Sequence, residues 1–304
     1  MYFIMSLLMW ACQTERAQTP TAELSKPDQA AELPIVIEPS VLQSLADYQD
    51  IVRLDAPIDS TTIVLDTRPE SSYKEGHIPG AVSLNVDLTW NNQFTLIPIT
   101  EMEELLGMTG ISQEHRVIIY DDGSFKNAAR MFWILESHGH ENLHILNGGI
   151  GLWKASNLPL STTSTRYKAS RFVAKIRPEH IATKLSVRQA IDDTKVALLD
   201  SRPPPEFQGL VAPLGKAGRI PSSINIEWSE ITQAQEGYST LKSPEELQDL
   251  FKSIPTETEQ VITYCNKGKQ SAVTYLGLKT AGYSVAAYDG SWYEWSQDDS
   301  LPIE

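Results

Sequence analysis

The chain has 304 residues, about twice the roughly 150 of a single domain, so two globular domains are expected. Apolar residues at 41% and charged residues at 21% are ordinary globular usage and exclude a disordered, collagen-like or coiled-coil protein. With 39 acidic against 25 basic side chains the net charge is −14, which repels nucleic acid, and two cysteines, Cys12 and Cys265, cannot build a disulfide scaffold or a cysteine zinc site. No metal is expected, and any cysteine chemistry has to use a lone thiol.

In chain order, residues 2–11 are almost wholly apolar, too short to span a bilayer but suited to the core of a secretory signal, and they end at Ala11-Cys12. This stretch resembles a bacterial lipoprotein signal, with Cys12 as the lipidation site and residues 12–34 as a polar tether. The location it implies is periplasmic or cell-envelope, with a lipid anchor to the membrane through Cys12. The cytoplasm is the alternative if the segment is not an export signal.

Beyond the tether the chain repeats itself, and that duplication sets the domain organisation. The first copy reads IVLDTRPESSYKEGHIPGAVSLN at 63–85; the second reads VALLDSRPPPEFQG at 196–209 and, after an insertion, GRIPSSINI at 218–226. Asp66 thus matches Asp200, Arg68 matches Arg202, Tyr73 matches Phe207, Gly76 matches Gly218 and Pro79 matches Pro221. Runs of β-branched residues predict strands at 63–66, 117–120 and 143–146, then at 197–200, 261–264 and 285–288. Thr100 with Glu103, and Ser243 with Glu246, each spell a helix-capping box, the second with Pro244 at the first helical position. Gly139 and Gly282 are placed to close the later helices. Asp66 to Gly76 spans 10 residues and Asp200 to Gly218 spans 18, so the second copy carries eight more, within 203–217. Strands alternating with helices give an α/β class, each copy a mainly parallel sheet flanked by helices. A polar linker at 157–175 divides domains expected at 35–160 and 161–304.

The copies differ where chemistry would sit. After equivalent strands the first has Asp121 and the second has Cys265-Asn266-Lys267-Gly268-Lys269-Gln270-Ser271, then a helix. A strand, short loop and helix N-terminus make a cradle whose N–H groups and dipole favour an anion, a setting in which cysteine reacts as a thiolate. Cys265 is therefore the expected nucleophile. Asn266, Lys267, Gly268, Lys269, Gln270 and Ser271 are the substrate-binding candidates, and the copy with Asp121 is expected to be inert. The Asp121 loop is expected to be two residues longer. Arg202 is compatible with a structural ion pair, since Arg68 recurs in the inert copy, but it leaves its strand toward the loop and joins the substrate-binding candidates. The histidines offer no comparable site: His77 is replaced by Arg219 in the second copy, while His138, His140 and His144 belong to the inert copy and are expected at its surface.

The motifs LDTRPESSYKEGHIPGA, LLDSRPPPEF...GRIPSS, YCNKGKQS and DGSWYEW resemble the two-domain rhodaneses, sulfurtransferases of the thiosulfate and 3-mercaptopyruvate type, over about residues 40–304. The resemblance implies tandem rhodanese-like domains, an inactive first and a catalytic second, with a persulfide carried on Cys265. It implies a small anionic sulfur donor, thiosulfate given the basic loop, and cyanide or a thiol as acceptor, with no cofactor. The alternatives are 3-mercaptopyruvate as donor, or a noncatalytic sulfur carrier or binding module. A cysteine phosphatase is disfavoured, because the position six residues after the cysteine, where it needs arginine, is Ser271.

Overall fold

Six strands, three per repeat, are buried almost end to end, as parallel strands covered by helices on both faces require. A computed structural model describes residues 33–52 and 60–304; Cys12, the apolar run 2–11 and nearly all of the tether lie outside the described residues. The first repeat contributes β1 (Val36–Ile37), β2 (Thr62–Asp66), β3 (Val82–Ser83), β4 (Arg116–Tyr120) and β5 (Leu143–Leu146). The second contributes β6 (Ile181–Ala182), β7 (Val196–Asp200), β8 (Ile224–Asn225), a hairpin of β9 (Thr232–Gln235) and β10 (Tyr238–Leu241), β11 (Gln260–Tyr264) and β12 (Val285–Tyr288).

The two main sheets are wholly parallel and have the same order, β1-β5-β4-β2-β3 and β6-β12-β11-β7-β8. The equivalent pairs Asp66 with Tyr120 and Asp200 with Tyr264 end both central ladders. Each predicted strand is present and begins at most one residue early. The two-residue edge strands carry no periodicity of their own, and the β9/β10 hairpin was likewise not predicted.

The repeats share a core between them, and each has a further buried cluster of its own. The helix Lys126–Ser137 packs along the helix Lys269–Thr280, and Phe132, Trp133, Tyr275, Leu276 and Ile231 belong to a single buried cluster that runs across both sheets. Glu136 accepts a 2.5 Å hydrogen bond from the Tyr275 hydroxyl and pairs with Lys279 on the same seam. The linker is a packed strap: Tyr167 and Phe172 are buried, and the Tyr167 hydroxyl donates to the Gly80 carbonyl. Residues equated by the duplication also play equivalent roles. His77 pairs through its backbone with Ser161 after the first repeat, as Arg219 does with Glu304 after the second.

Three expectations need correction. Ser243 caps the helix Pro244–Leu250 with a full capping box, but Thr100 caps nothing, because its helix runs Ile99–Met108 from Pro98 without a side-chain cap. His138, His140 and His144 are buried rather than superficial, each with a ring nitrogen on a carbonyl, those of Ile134, Ser112 and Pro34. Burial depresses the pKa of His138 and that of His140, the latter to about 4, so both stay neutral at pH 7. Finally, the two extra residues of the first copy are split. Its loop is longer by one residue, since the helix begins at Lys126 five residues after Asp121 while Lys269 is four after Cys265, and the other extra residue lies beyond the helix.

Candidate active site

Cys265 follows β11 directly, and three loop residues carry the chain to the helix Lys269–Thr280. Gly268 caps that helix in the left-handed region at φ 93°, where a side chain would be strained, and its N–H donates to Cys265 Sγ at 3.0 Å. The sulfur belongs to a residue only 1% exposed, at the positive end of a helix of 12 residues. The DGSWYEW segment braces the loop from behind. The N–H groups of Trp292 and Tyr293 donate to the carbonyls of Cys265 and Asn266, and the Ser291 hydroxyl accepts from the Cys265 N–H at 3.4 Å. With the Cys265 and Asn266 carbonyls held by that segment and the Gly268 N–H on the sulfur, the loop has the polarity an anion needs.

The predicted loop residues do not all converge. Lys267 lays its ammonium 3.5 Å from the centre of the Phe94 ring and 5.9 Å from that of Tyr293, two rings that meet edge to face. Lys269 is instead engaged by a residue of the first repeat: its Nζ pairs with Asp87 at 2.6 Å and lies over Trp90. Asn266 donates to Glu206 at 2.8 Å, and its own buried Oδ1 has no partner among the described residues. Ser271 is fully buried, its hydroxyl without a partner among the described residues, and Gln270 is half-buried beside it on the first helical turn.

Arg202 departs from the substrate-binding expectation. Its Nε and Nη2 clamp Asp200 at 2.6 to 3.0 Å, and Nη2 also donates to the Gly218 carbonyl at 2.9 Å. Arg68 makes the same bonds to Asp66 and Gly76 in the repeat that lacks the cysteine. Burial opposes the Arg202 charge, but the Asp200 carboxylate outweighs it and the guanidinium pKa is raised. The arginine therefore ties a strand end to the following turn in both repeats.

In the first repeat the cradle is filled from within. Asp121 accepts from the N–H groups of Gly123, Phe125, Asn127 and Ala128 at 2.9 to 3.3 Å, so its carboxylate occupies the place an anionic ligand would take. Burial, then the neighbouring Asp122, push its pKa up to about 6 against the pull of those N–H donors.

Two features of this site were not foreseen. A tight turn closed by the Trp90 to Leu96 bridge reaches from the first repeat to the second, where the Leu96 N–H donates to Asp289 at 2.8 Å. From the helix Lys126–Ser137, Arg130 joins the same carboxylate at 2.5 Å while being 1% exposed. A signal for Arg130 was present in the sequence: it interrupts the apolar run Ala128, Ala129, Met131, Phe132, Trp133, and a charge on a helix face that must be buried needs a partner. Among the described residues no group of three or more His, Cys, Asp or Glu could hold a metal ion, and no helix is long and apolar enough to cross a membrane.

Comparison with known proteins agrees with this arrangement. The rhodanese-like domain matches residues 50–156 and again 183–298. The chain is 31% identical to a protein of Azotobacter vinelandii named thiosulfate sulfurtransferase, over 91% of this chain and 99% of that one. It is 29% identical to the 3-mercaptopyruvate sulfurtransferase of Escherichia coli K12, over 79% of this chain and 87% of that one. Among solved structures it shares the fold of an anaerobic ergothioneine biosynthesis enzyme from Chlorobium limicola, with TM-score 0.72 and 23% identity over 83% of this chain, and it spans 66% of that enzyme's length. Two family matches on two like sheets, together with relatives similar from end to end, place this chain in the rhodanese family.

Proposed function

We propose that the protein is a sulfurtransferase that takes sulfane sulfur from thiosulfate onto Cys265 and passes it to cyanide or a thiol. The observation that carries this reading is the contrast between the two cradles: one is filled by the Asp121 carboxylate, while the other presents a thiol whose sulfur takes a single N–H, from Gly268. In the first step the Cys265 thiolate attacks the outer sulfur of thiosulfate. The new S–S bond forms as the old one breaks, its electron pair leaves on sulfite, and the enzyme is left as a persulfide anion. In the second, cyanide attacks the terminal sulfur, thiocyanate departs and the thiolate returns. Neither leaving group needs a proton, which fits a loop that holds no histidine or carboxylic acid.

Thiosulfate is favoured by the basic character of Lys267 and by the names of relatives such as that of Azotobacter vinelandii. The Escherichia coli relative supports 3-mercaptopyruvate as the second reading. Steady-state turnover with each donor, using cyanide as acceptor, tests both. Thiocyanate formation with higher kcat/KM on thiosulfate is the expected result, preference for 3-mercaptopyruvate moves the protein to the second reading, and no turnover on either leaves a sulfur carrier. The apolar run ahead of Cys12 further supports an exported, lipid-anchored form. Fractionation with intact-mass measurement of the native protein and of Cys12→Ala is the check, and a cytosolic protein retaining Met1 would refute it.

A further inference from the structure

The two repeats reach across to each other in the same way, and the exception to that symmetry lies at Cys265. From the second repeat, Leu241 of β10 donates to Asn147 behind the Asp121 loop; from the first, Leu96 donates to Asp289 behind the Cys265 loop. Asn147 and Asp289 are equivalent, each opening the segment that braces its loop. Counting from the helix starts Lys126 and Lys269, the position of Arg130 is held by Val273 in the second repeat. An arginine and aspartate pair therefore stands over the cysteine loop, while the equivalent positions of the other repeat hold valine and asparagine.

The pair is placed to act on that loop. The Arg130 guanidinium lies 4.6 Å from the centre of the Trp133 ring and 5.5 Å from that of Trp90, with Nη2 on Asp289 and a buried Nε that has no partner among the described residues. Its Nη1 lies against Gly268: a β-carbon added there would come within 2.6 Å of it. Gly268 is the residue whose N–H donates to Cys265 Sγ. A buried charge without a full set of hydrogen bonds is costly, and its field is weakly screened at such a site. A merely architectural contact between helices has no need of that cost, as Val273 illustrates on the other side.

We infer that Arg130, supplied by the repeat without a nucleophile and held by Asp289, is a positioning residue of the Cys265 site. Through Gly268 it fixes the N–H on the sulfur, and its charge favours anions at the loop, whether thiolate, persulfide or donor. The inference rests on Cys265 being the nucleophile, and the test separates the two.

Alkylation of Cys265 by iodoacetamide, which is neutral, and by iodoacetate, which is anionic, is followed by mass spectrometry of the Cys265 peptide at low ionic strength. Arg130→Met should lower the ratio of iodoacetate to iodoacetamide rates by at least about threefold, because one positive charge is lost beside the loop. Arg130→Lys should restore most of it. Asp289→Asn, which keeps an acceptor for Leu96 but removes the neutralising charge, should raise the ratio, so the proposal remains testable if the methionine variant does not fold. A ratio unchanged in the folded variants would overturn the role given to Arg130 while leaving the nucleophile intact. A wild-type Cys265 inert to both reagents would instead remove the nucleophile on which the role depends.

Discussion

Asp121 and Cys265 stand at the same point of two equivalent strand-to-helix loops, yet one loop is complete and the other is open. Asp121 draws four N–H groups onto its own carboxylate, which fills the place an anion would take. Cys265 offers a softer atom in the same field, engages one N–H and leaves the loop free to receive charge from outside. A duplicated cradle has thus been used once as scaffold and once as chemistry, and the difference comes from a few residues: the nucleophile, one loop residue fewer, Lys267, and the Arg130 and Asp289 pair.

The sharpest break of this comparison is Cys265→Ser, which should reduce sulfur transfer to background with the melting temperature little changed, since a hydroxyl does not form a persulfide at neutral pH. Retained thiocyanate production by the serine variant would dismiss the mechanism. Next in size is the converse graft. Asp121→Cys in the Cys265→Ser background should recover no turnover, because the first loop carries Asp122 instead of a basic residue and has Asn147 behind it. Recovery of activity would mean that the cradle alone suffices.

A smaller effect is expected at Lys267. Lys267→Met should lower kcat/KM by about tenfold with thiosulfate and by less with 3-mercaptopyruvate, because charge steering scales with ligand charge, and the gap should widen at low salt. Equal losses would confine Lys267 to packing on Phe94 and Tyr293. The smallest effect concerns Asp121→Asn, which should change activity by less than about tenfold, or roughly 1.4 kcal/mol. Its signature is in stability instead. The Asp121 pKa is raised to about 6 in the folded chain, so its ionised form costs stability above that pH and the cost fades as the pH falls toward the ordinary carboxylate range. Thermal melts at pH 5 and pH 7 should show the native chain gaining on the variant at the lower pH; no difference in slope would refute the assignment.

Much of this was legible in the sequence. The central strands were evident because buried parallel strands are continuous β-branched runs, and here each of the two best ones, 117–120 and 261–264, ends against the residue that decides the chemistry. The repeat itself supplied the control that separated Cys265 from Asp121. What the sequence hid were contacts between residues far apart along the chain. Lys269 reads as a free cation until Asp87, from the other repeat, is found beside it. Arg202 reads as a ligand until Gly218, sixteen residues on, closes its clamp. His138 and His140 likewise owe their neutrality to the burial that folding brings, against the opposing pull of carbonyls such as that of Ser112 on His140.

The central claim is that Cys265, and no other residue, carries the transferred sulfur. Mass spectrometry of the protein after brief exposure to thiosulfate and removal of excess donor addresses it without reliance on turnover. The account predicts one added sulfur on the Cys265 peptide, lost on addition of cyanide and absent from Cys265→Ser. An unmodified Cys265 peptide, or added sulfur that survives the serine substitution, would contradict it.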